Sequence, residues 1–474
     1  QLIAGESPLE IIEGYTEYSG RMQPLPDWTQ EGAIVRSYGG SESALSKVTE
    51  LDIAGGALAA LWIEDWAGTR QTPFGTRMWW NWDIDRTVYP DFEDMVSELN
   101  GLGVRSLIYF NPFLADASEK PGLERHLFAE AEEAGYLVKN LEGETELIPN
   151  GGFDAAMLDL TNADARAWIK DVMRNMIGLG VSGWMADFGE ALPLEISLES
   201  DVEPESYHNQ YPFDWAELNK EVAAEEGVTA EHLTFNRSGN AQSPSVARSF
   251  WIGDQLVTWD DYDGFKTVVP ALLSSGLSGY TLQHADVGGW LSVNQPVVDI
   301  ELFRTKELFQ RWMELNSFTV LVRLHTTNLP ELNHQYNTDD ETLLHFARMT
   351  QVFASLAPYR KTLMEEAASK GAPIVRHPML HYPEDANVYD LKQQFMLGAD
   401  FMIAPVVDQG ATSVSLYLPA GSWTHLWTGQ QMGSSDQGET ITVDAPIGEP
   451  AVFYRTDSSW GETLRASLAE KGIL

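Results

Sequence analysis

Apolar and polar positions follow one another along most of the chain in two rhythms. Short runs rich in β-branched and aromatic residues are bounded by Gly, Asn, Asp or Ser and show no helical period. They are "GAIVRS" (32–37), "ALAALWI" (57–63), "VRSLIYF" (104–110), "SGWMA" (182–186), "HLTFN" (232–236), "SFWI" (249–252), "SGYTL" (278–282) and "TVLVR" (319–323). They predict eight buried strands. Stretches with an apolar residue every three to four positions stand between them, among them "DFEDMVSELNGLG", "ADARAWIKDVMRNMIGLG" and "DIELFRTKELFQRWMELNSF", and these predict helices. Strands buried on both faces and separated by helices are what an α/β chain needs to close a (β/α)8 TIM barrel, expected here over residues 1–389. An acidic stretch at about 114–154 is too long for an ordinary connection and predicts an insert subdomain after the third strand, overhanging the cleft. From about Asp390 the texture changes to "FMLGADFMIAPVV", "SVSLYLPAG" and "ETITVDAPIGEPAVFYR". That alternation predicts a C-terminal all-β sandwich domain over 390–474.

Charge and composition narrow the classes of function. With 70 acidic against 30 basic residues the formal charge is −40, which opposes binding to nucleic acid or to an anionic membrane. No apolar run approaches a bilayer span, so no membrane insertion is expected. The chain has no Cys, which removes disulfides, thiolate metal sites and cysteine nucleophiles together and accords with a cytoplasmic, bacterial location. It begins with "QLIAGESPLE" rather than Met, as a processed or partial product would. No His-Glu-x-x-His spacing or Gly-rich nucleotide fingerprint calls for a metal or a cofactor. Sixteen Trp residues suggest aromatic walls in a cleft as well as core. The sequence leaves self-association into a homo-oligomer open.

Chemistry-bearing residues cluster just after the expected strands: Tyr38, Glu64 and Asp65, Asn111, Asp187, Arg237, Asp254, His284 and Asp286, and His325. Asp187 follows the apolar "WMA" and Asp254 follows "SFWIG". Two carboxyls projecting toward one cleft are the minimum apparatus for glycoside hydrolysis, and equally a means of holding rim arginines. The motifs "GGWMADFGEALP", "LDLTNADARAW", "LWIEDWAG", "YFNPFL", "FWIGDQ", "HADVGGW" and "VLVRLH", in this order, resemble glycoside hydrolase family 31, the retaining α-glycosidases. The finer resemblance is to its sulfoquinovosidase branch, which cleaves α-glycosides of 6-deoxy-6-sulfoglucose. The resemblance runs from about Gly32 to "GEPAVFYR". It implies that Asp187 is the nucleophile and Asp254 the general acid/base, and that Arg237 binds the sugar near the nucleophile. It also implies an N-terminal β-sandwich ahead of the barrel, for which this chain has no counterpart. Glu190 is expected to anchor the loop rather than touch substrate.

An anionic sulfosugar glycoside, as small-molecule substrate, would have to be held against the net charge by local cations and donors. In "TPFGTRMWWNW", Arg77 offers a guanidinium and Trp80 an aromatic wall with an indole N–H. In the resembling branch an Arg and a Trp at this spacing bind the sulfonate, together with a Tyr whose position here is Trp290. Two further pocket positions there carry a Gln pair or a Lys and a Glu. Here they are Tyr38 and Glu64, with Arg36 a substitute cation if the strand continues regularly. His325 and His284 match positions near the sugar hydroxyls, and Asp65 binds a hydroxyl or holds its loop. The implied activity is release of sulfoquinovose from sulfoquinovosyl glycerol or sulfoquinovosyl diacylglycerol. The alternatives are an α-glucosidase or α-xylosidase of the same family, and a non-catalytic sugar-binding barrel.

Overall fold

The computed structural model describes residues 2–72, 75–434 and 436–474. They form two compact units: one of residues 35–50 and 59–250, the other of residues 1–34, 51–58 and 251–474. In the first unit, parallel strands alternate with helices. Gly183–Ala186 lies between Arg105–Phe110 and Leu233–Asn236, with Trp184 opposite Ile108 and Thr234. Leu58–Ile63 pairs with Arg105–Phe110 on one flank, and Ser249–Trp251 with Leu233–Asn236 on the other. These strands are buried almost throughout, as strands covered on both faces must be. The covering helices, Phe92–Gly101, Ala163–Gly178 and Tyr211–Glu225, turn residues such as Val96, Ile169, Val172 and Val222 inward.

Most of the Trp residues of this unit are core. Trp62, Trp66, Trp82 and Trp184 are buried and direct their indole N–H groups to Ile108 O, Tyr109 O, Phe113 O and Asn219 Oδ1. Between residues 113 and 157 lie a small three-stranded sheet, Phe113–Leu114, Asp154–Met157 and Ile148–Pro149, and the helix Leu127–Ala134. Glycine is required at Gly183, whose φ is 151° and where a Cβ would fall 1.9 Å from Leu233 O.

In the second unit, Arg323–Leu324 runs parallel to Asp286–Val287, and Arg323 sits opposite Ile34. Here the expected strands are displaced. "SGYTL" (278–282) is not a strand: Ser278 and Gly279 cap the helix Val268–Leu277, with Tyr280 N bonded to Ser275 O, and the ladder starts at Gln283. "TVLVR" is a buried bend past the helix Lys306–Asn316 until Arg323. Both runs are apolar because they are buried at helix ends, a setting that period alone does not distinguish from a strand.

The C-terminal strands are antiparallel. Val375–Arg376, Phe395–Leu397, Phe401–Ala404, Ala451–Arg455, Trp423–His425 and Gln431–Met432 form one sheet in that order, and Ser413–Leu418 pairs with Glu439–Asp444 in another. Met396, Met402, Trp423 and Phe453 from the first share a core with Leu416, Leu418 and Val443 from the second. One element departs from the all-β texture. The helix Ser459–Glu470 starts at Ser458, whose hydroxyl accepts from Gly461 N, and packs Trp460 against Tyr359. No helix among the described residues is long and apolar enough to cross a membrane.

Candidate active site

The Gly183–Ala186 strand delivers Asp187 where its ladder ends. Asp187 N donates to Phe110 O at 2.9 Å, and the side chain is buried. Its Oδ2 accepts from the Tyr109 hydroxyl at 2.5 Å. Its Oδ1 accepts from Phe188 N at 2.8 Å and lies 3.3 Å from Arg237 Nη1. Phe188 holds φ at 58°, an uncommon conformation for a bulky residue, and this turns its N–H back onto the preceding carboxylate. Arg237 stands at the end of the Leu233–Asn236 strand, 3.9 Å above the Phe188 ring, and pairs with Glu190 as well. Glu190 therefore anchors Arg237, in keeping with the loop role expected of it. Burial first, and then the charge of Asp187, push the Tyr109 phenol well above its ordinary range, so it remains a donor.

Tyr38, Glu64 and Asp65 gather in the same unit, Tyr38 just past the strand Ala33–Ser37 and the two carboxylates in the short 3-10 helix Glu64–Ala67. Arg36 pairs with Glu64, and its guanidinium lies 5.2 Å from the Tyr38 ring, which Lys47 approaches at 5.5 Å. Asp65 accepts from Gly39 N at 2.9 Å and from the Tyr89 hydroxyl. These bonds tie Asp65 to the loop after the strand Ala33–Ser37 and to Tyr89. Burial raises the Asp65 pKa, opposed by both hydrogen bonds.

Arg77 lies in a hairpin, Thr69–Thr72 with Gly75–Met78, directly across from Arg70. Pro73 and Phe74 of "TPFGTRMWWNW" fall outside the described residues. Trp80 is buried and packs against Phe113, Phe153 and Phe188 at ring separations of 5.0 to 5.2 Å. Arg77 Nε is buried with no hydrogen-bond partner among the described residues.

In the other unit, Asp254 is half-buried in the loop after Ser249–Trp251. That loop is pinned beside Trp290, because the N–H groups of Trp290 and Leu291 both donate to Gln255 O. Trp290 meets the His325 ring edge-on at 6.0 Å. His325 Nδ1 accepts from Thr327 N at 3.1 Å, which leaves the proton of the neutral ring on Nε2. His284 and Asp286 were expected beyond a strand, yet both lie within strand segments and are buried. His284 Nε2 accepts from Arg323 Nε at 3.0 Å, and the same Arg323 pairs with Asp286. No group of three His, Cys, Asp or Glu side chains among the described residues could hold a metal ion.

Two residues escaped sequence reasoning. Tyr109 sits inside an apolar strand, and only its hydroxyl set it apart. Arg70 lies in a strand of four residues, too short for alternation to be read.

Parallel strands separated by helices, ending in carboxylates, arginines and aromatic rings, describe a glycoside-hydrolase barrel. Residues 23–364 match the family model of the glycosyl hydrolases family 31 TIM-barrel domain, and residues 371–458 match that of the family 31 C-terminal domain. The chain belongs to glycosyl hydrolase family 31, and its fold is a (β/α)8 TIM barrel followed by an all-β domain. It is 41% identical over 461 residues to the sulfoquinovosidase of Escherichia coli (strain K12), covering 97% of this chain and 65% of that protein. It is 40% identical over 462 residues to the sulfoquinovosidase of Agrobacterium fabrum, covering 97% and 67%. Among solved structures, a GH31 family sulfoquinovosidase from E. rectale in complex with an aza-sugar inhibitor matches with a TM-score of 0.92 at 37% identity, covering 98% of this chain and 68% of that one. The chain thus spans about two thirds of the length of these relatives.

Proposed function

We propose that this protein hydrolyses α-sulfoquinovosides with retention of configuration, releasing sulfoquinovose from sulfoquinovosyl glycerol or sulfoquinovosyl diacylglycerol. Asp187 attacks the anomeric carbon to form a covalent glycosyl-enzyme. Asp254 protonates the departing oxygen, then takes a proton from the water that releases the sugar. A carboxylate offers about four lone-pair sites. Tyr109, the Phe188 N–H and Arg237 engage three of those on Asp187, which fixes the plane of the group and leaves a lone pair for attack.

The observation that supports the substrate assignment is the half-buried Arg77, whose Nε is buried with no hydrogen-bond partner among the described residues, in the same compact unit as Asp187 and with Trp80 packed on Phe188. A plain glucoside has no group that needs such a cation, whereas a sulfonate does. The likeness to two sulfoquinovosidases over 97% of the chain supports the same reading. Trp290 supplies an aromatic N–H where the branch has a Tyr, and the Arg36–Glu64 pair supplies the cation and carboxylate next to Tyr38.

Proton NMR of the first product tests the stereochemistry. Sulfoquinovose should appear as the α anomer before it mutarotates, and the β anomer appearing first would contradict a double displacement at Asp187. Asp187→Asn should remove turnover and leave the melting transition in place. Full activity in that variant would sink the assignment.

A further inference from the structure

The hairpin that carries Arg77 holds a second cation, Arg70. Register places Arg70 directly opposite Arg77, so the two guanidinium groups leave the same face. Thr69, Gln71 and Thr76 of the other face are exposed, while Arg70 and Arg77 are half-buried. Like charges directly opposed on a hairpin repel. In a chain with 70 acidic residues, no carboxylate among the described residues lies within ion-pair distance of either one. Arg70 Nε and Nη2 and Arg77 Nε are all buried without an acceptor.

The faces of Arg70 are occupied. Its guanidinium lies 3.5 Å from the Phe153 ring centre and 4.4 Å from that of Trp79. Stacking of this kind uses the flat face and leaves the N–H edge for an acceptor in the plane. Burial lowers the Arg70 pKa to about 10, with Asp116 opposing the shift. The fold therefore keeps a partly desolvated charge with no carboxylate in ion-pair contact among the described residues, a condition that a bound anion relieves. Phe153 also meets Trp80 edge-on at 5.0 Å, and Trp80 meets Phe188, the neighbour of Asp187, at 5.2 Å. The hairpin is thus linked to the Asp187 turn through three packed rings.

We propose that Arg70 determines specificity together with Arg77: the two guanidinium groups clamp one tetrahedral oxyanion, the sulfonate of the substrate, from opposite strands. This assignment rests on the sulfoquinovosidase reading for the identity of the anion, but not for its charge or shape.

Arg70→Met keeps the apolar stem and removes the donors, and Arg70→Lys keeps the charge and removes the fork. The readout is the ratio of kcat/KM for 4-nitrophenyl α-sulfoquinovoside to that for 4-nitrophenyl α-glucoside, with calorimetric titration of inorganic sulfate into the same proteins. Losing hydrogen bonds to a charged group should lower the ratio about 10-fold or more in Arg70→Met, through KM, and less in Arg70→Lys. Sulfate binding should weaken in the same order. If Arg70→Met does not fold, Arg70→Lys alone decides. A ratio unchanged in the folded variant overturns the clamp and leaves the sulfoquinovosidase reading standing. A wild type that binds sulfate through Arg70 but shows no preference for the sulfonated glycoside upholds the clamp and overturns the substrate reading. A wild type that neither binds sulfate nor prefers the sulfonate overturns both.

Discussion

Asp187 is useful because it is held, and each contact that holds it has a separate consequence. The Tyr109 hydroxyl donates to Oδ2 from the interior of the neighbouring strand, so Tyr109→Phe removes one charge-assisted hydrogen bond without changing the shape of the core. A bond to a charged group is worth roughly 1.5–3 kcal/mol, so kcat should fall about 10- to 100-fold, and the melting temperature should fall as well because Asn111 Nδ2 loses its acceptor on Tyr109. Stopped-flow release of 4-nitrophenol measures the acylation-like first step directly, and an unchanged rate would leave Tyr109 a packing residue. In kcat/KM, which reports the first displacement, Asp254→Asn should cost about 10²–10⁴-fold where the leaving group needs a proton and much less for a 4-nitrophenyl glycoside, whose phenolate departs unaided. Equal losses on good and poor leaving groups would remove the acid role. The positions of Asp187 and Arg237 were legible in the sequence because a charged residue ending an apolar strand must emerge at its tip. Tyr109 was not: its partner is 78 residues away, and only the strand order brings them together.

At the scale of elements, two contacts carry the geometry. Gly183 starts the strand that positions Asp187, opposite Leu233, where a side chain would meet the Leu233 carbonyl. Gly183→Ala must therefore push the strands apart or twist the backbone, at about 1–3 kcal/mol by the usual cost of overpacking. A lower melting temperature together with lost activity, measured by calorimetry and assay, is the expected result. A variant with wild-type melting would show the register to be softer than described.

The second contact lies between the helix Lys306–Asn316 and the C-terminal strands. Glu314 accepts from Arg311 Nη1 at 2.9 Å and from Gly448 N at 2.6 Å, while Arg311 Nη2 donates to Ala411 O and Ala445 O. All of this is buried, so Glu314→Ala leaves an uncompensated guanidinium and should destabilise by about 3–5 kcal/mol. Hydrogen exchange should then show strands Ser413–Leu418 and Glu439–Asp444 opening first. Six of the eight strands could be placed within a residue or two, because their apolar runs coincide with their ladders. The runs at 278–282 and 319–323 misled because helix ends there are buried just as deeply as strands.

Across the whole molecule, the charge of −40 opposes the approach of an anion, which the proposed hairpin site would have to hold at short range. Repulsion from distant carboxylates is screened beyond a Debye length of about 10 Å at 0.1 M salt, while contacts inside a buried pocket are screened much less. Raising salt from about 20 to about 200 mM should therefore lower KM for the sulfonated glycoside and leave the neutral glucoside unaffected. A KM that rises with salt would mean that exposed cations dominate capture. The barrel and the all-β domain were legible from the alternation of runs. The division of the chain into two compact units was not, since it depends on contacts between residues far apart in sequence.

The central claim is that a family 31 barrel with Asp187 as nucleophile selects a sulfonated sugar through Arg77. Side-by-side hydrolysis of 4-nitrophenyl α-sulfoquinovoside, α-glucoside and α-xyloside tests it most directly, in the wild type and in Arg77→Ala. The account predicts the highest kcat/KM on the sulfoquinovoside and a loss in Arg77→Ala that is far larger on that substrate than on the other two. A higher kcat/KM on the glucoside or the xyloside, or equal losses on all three, would contradict it.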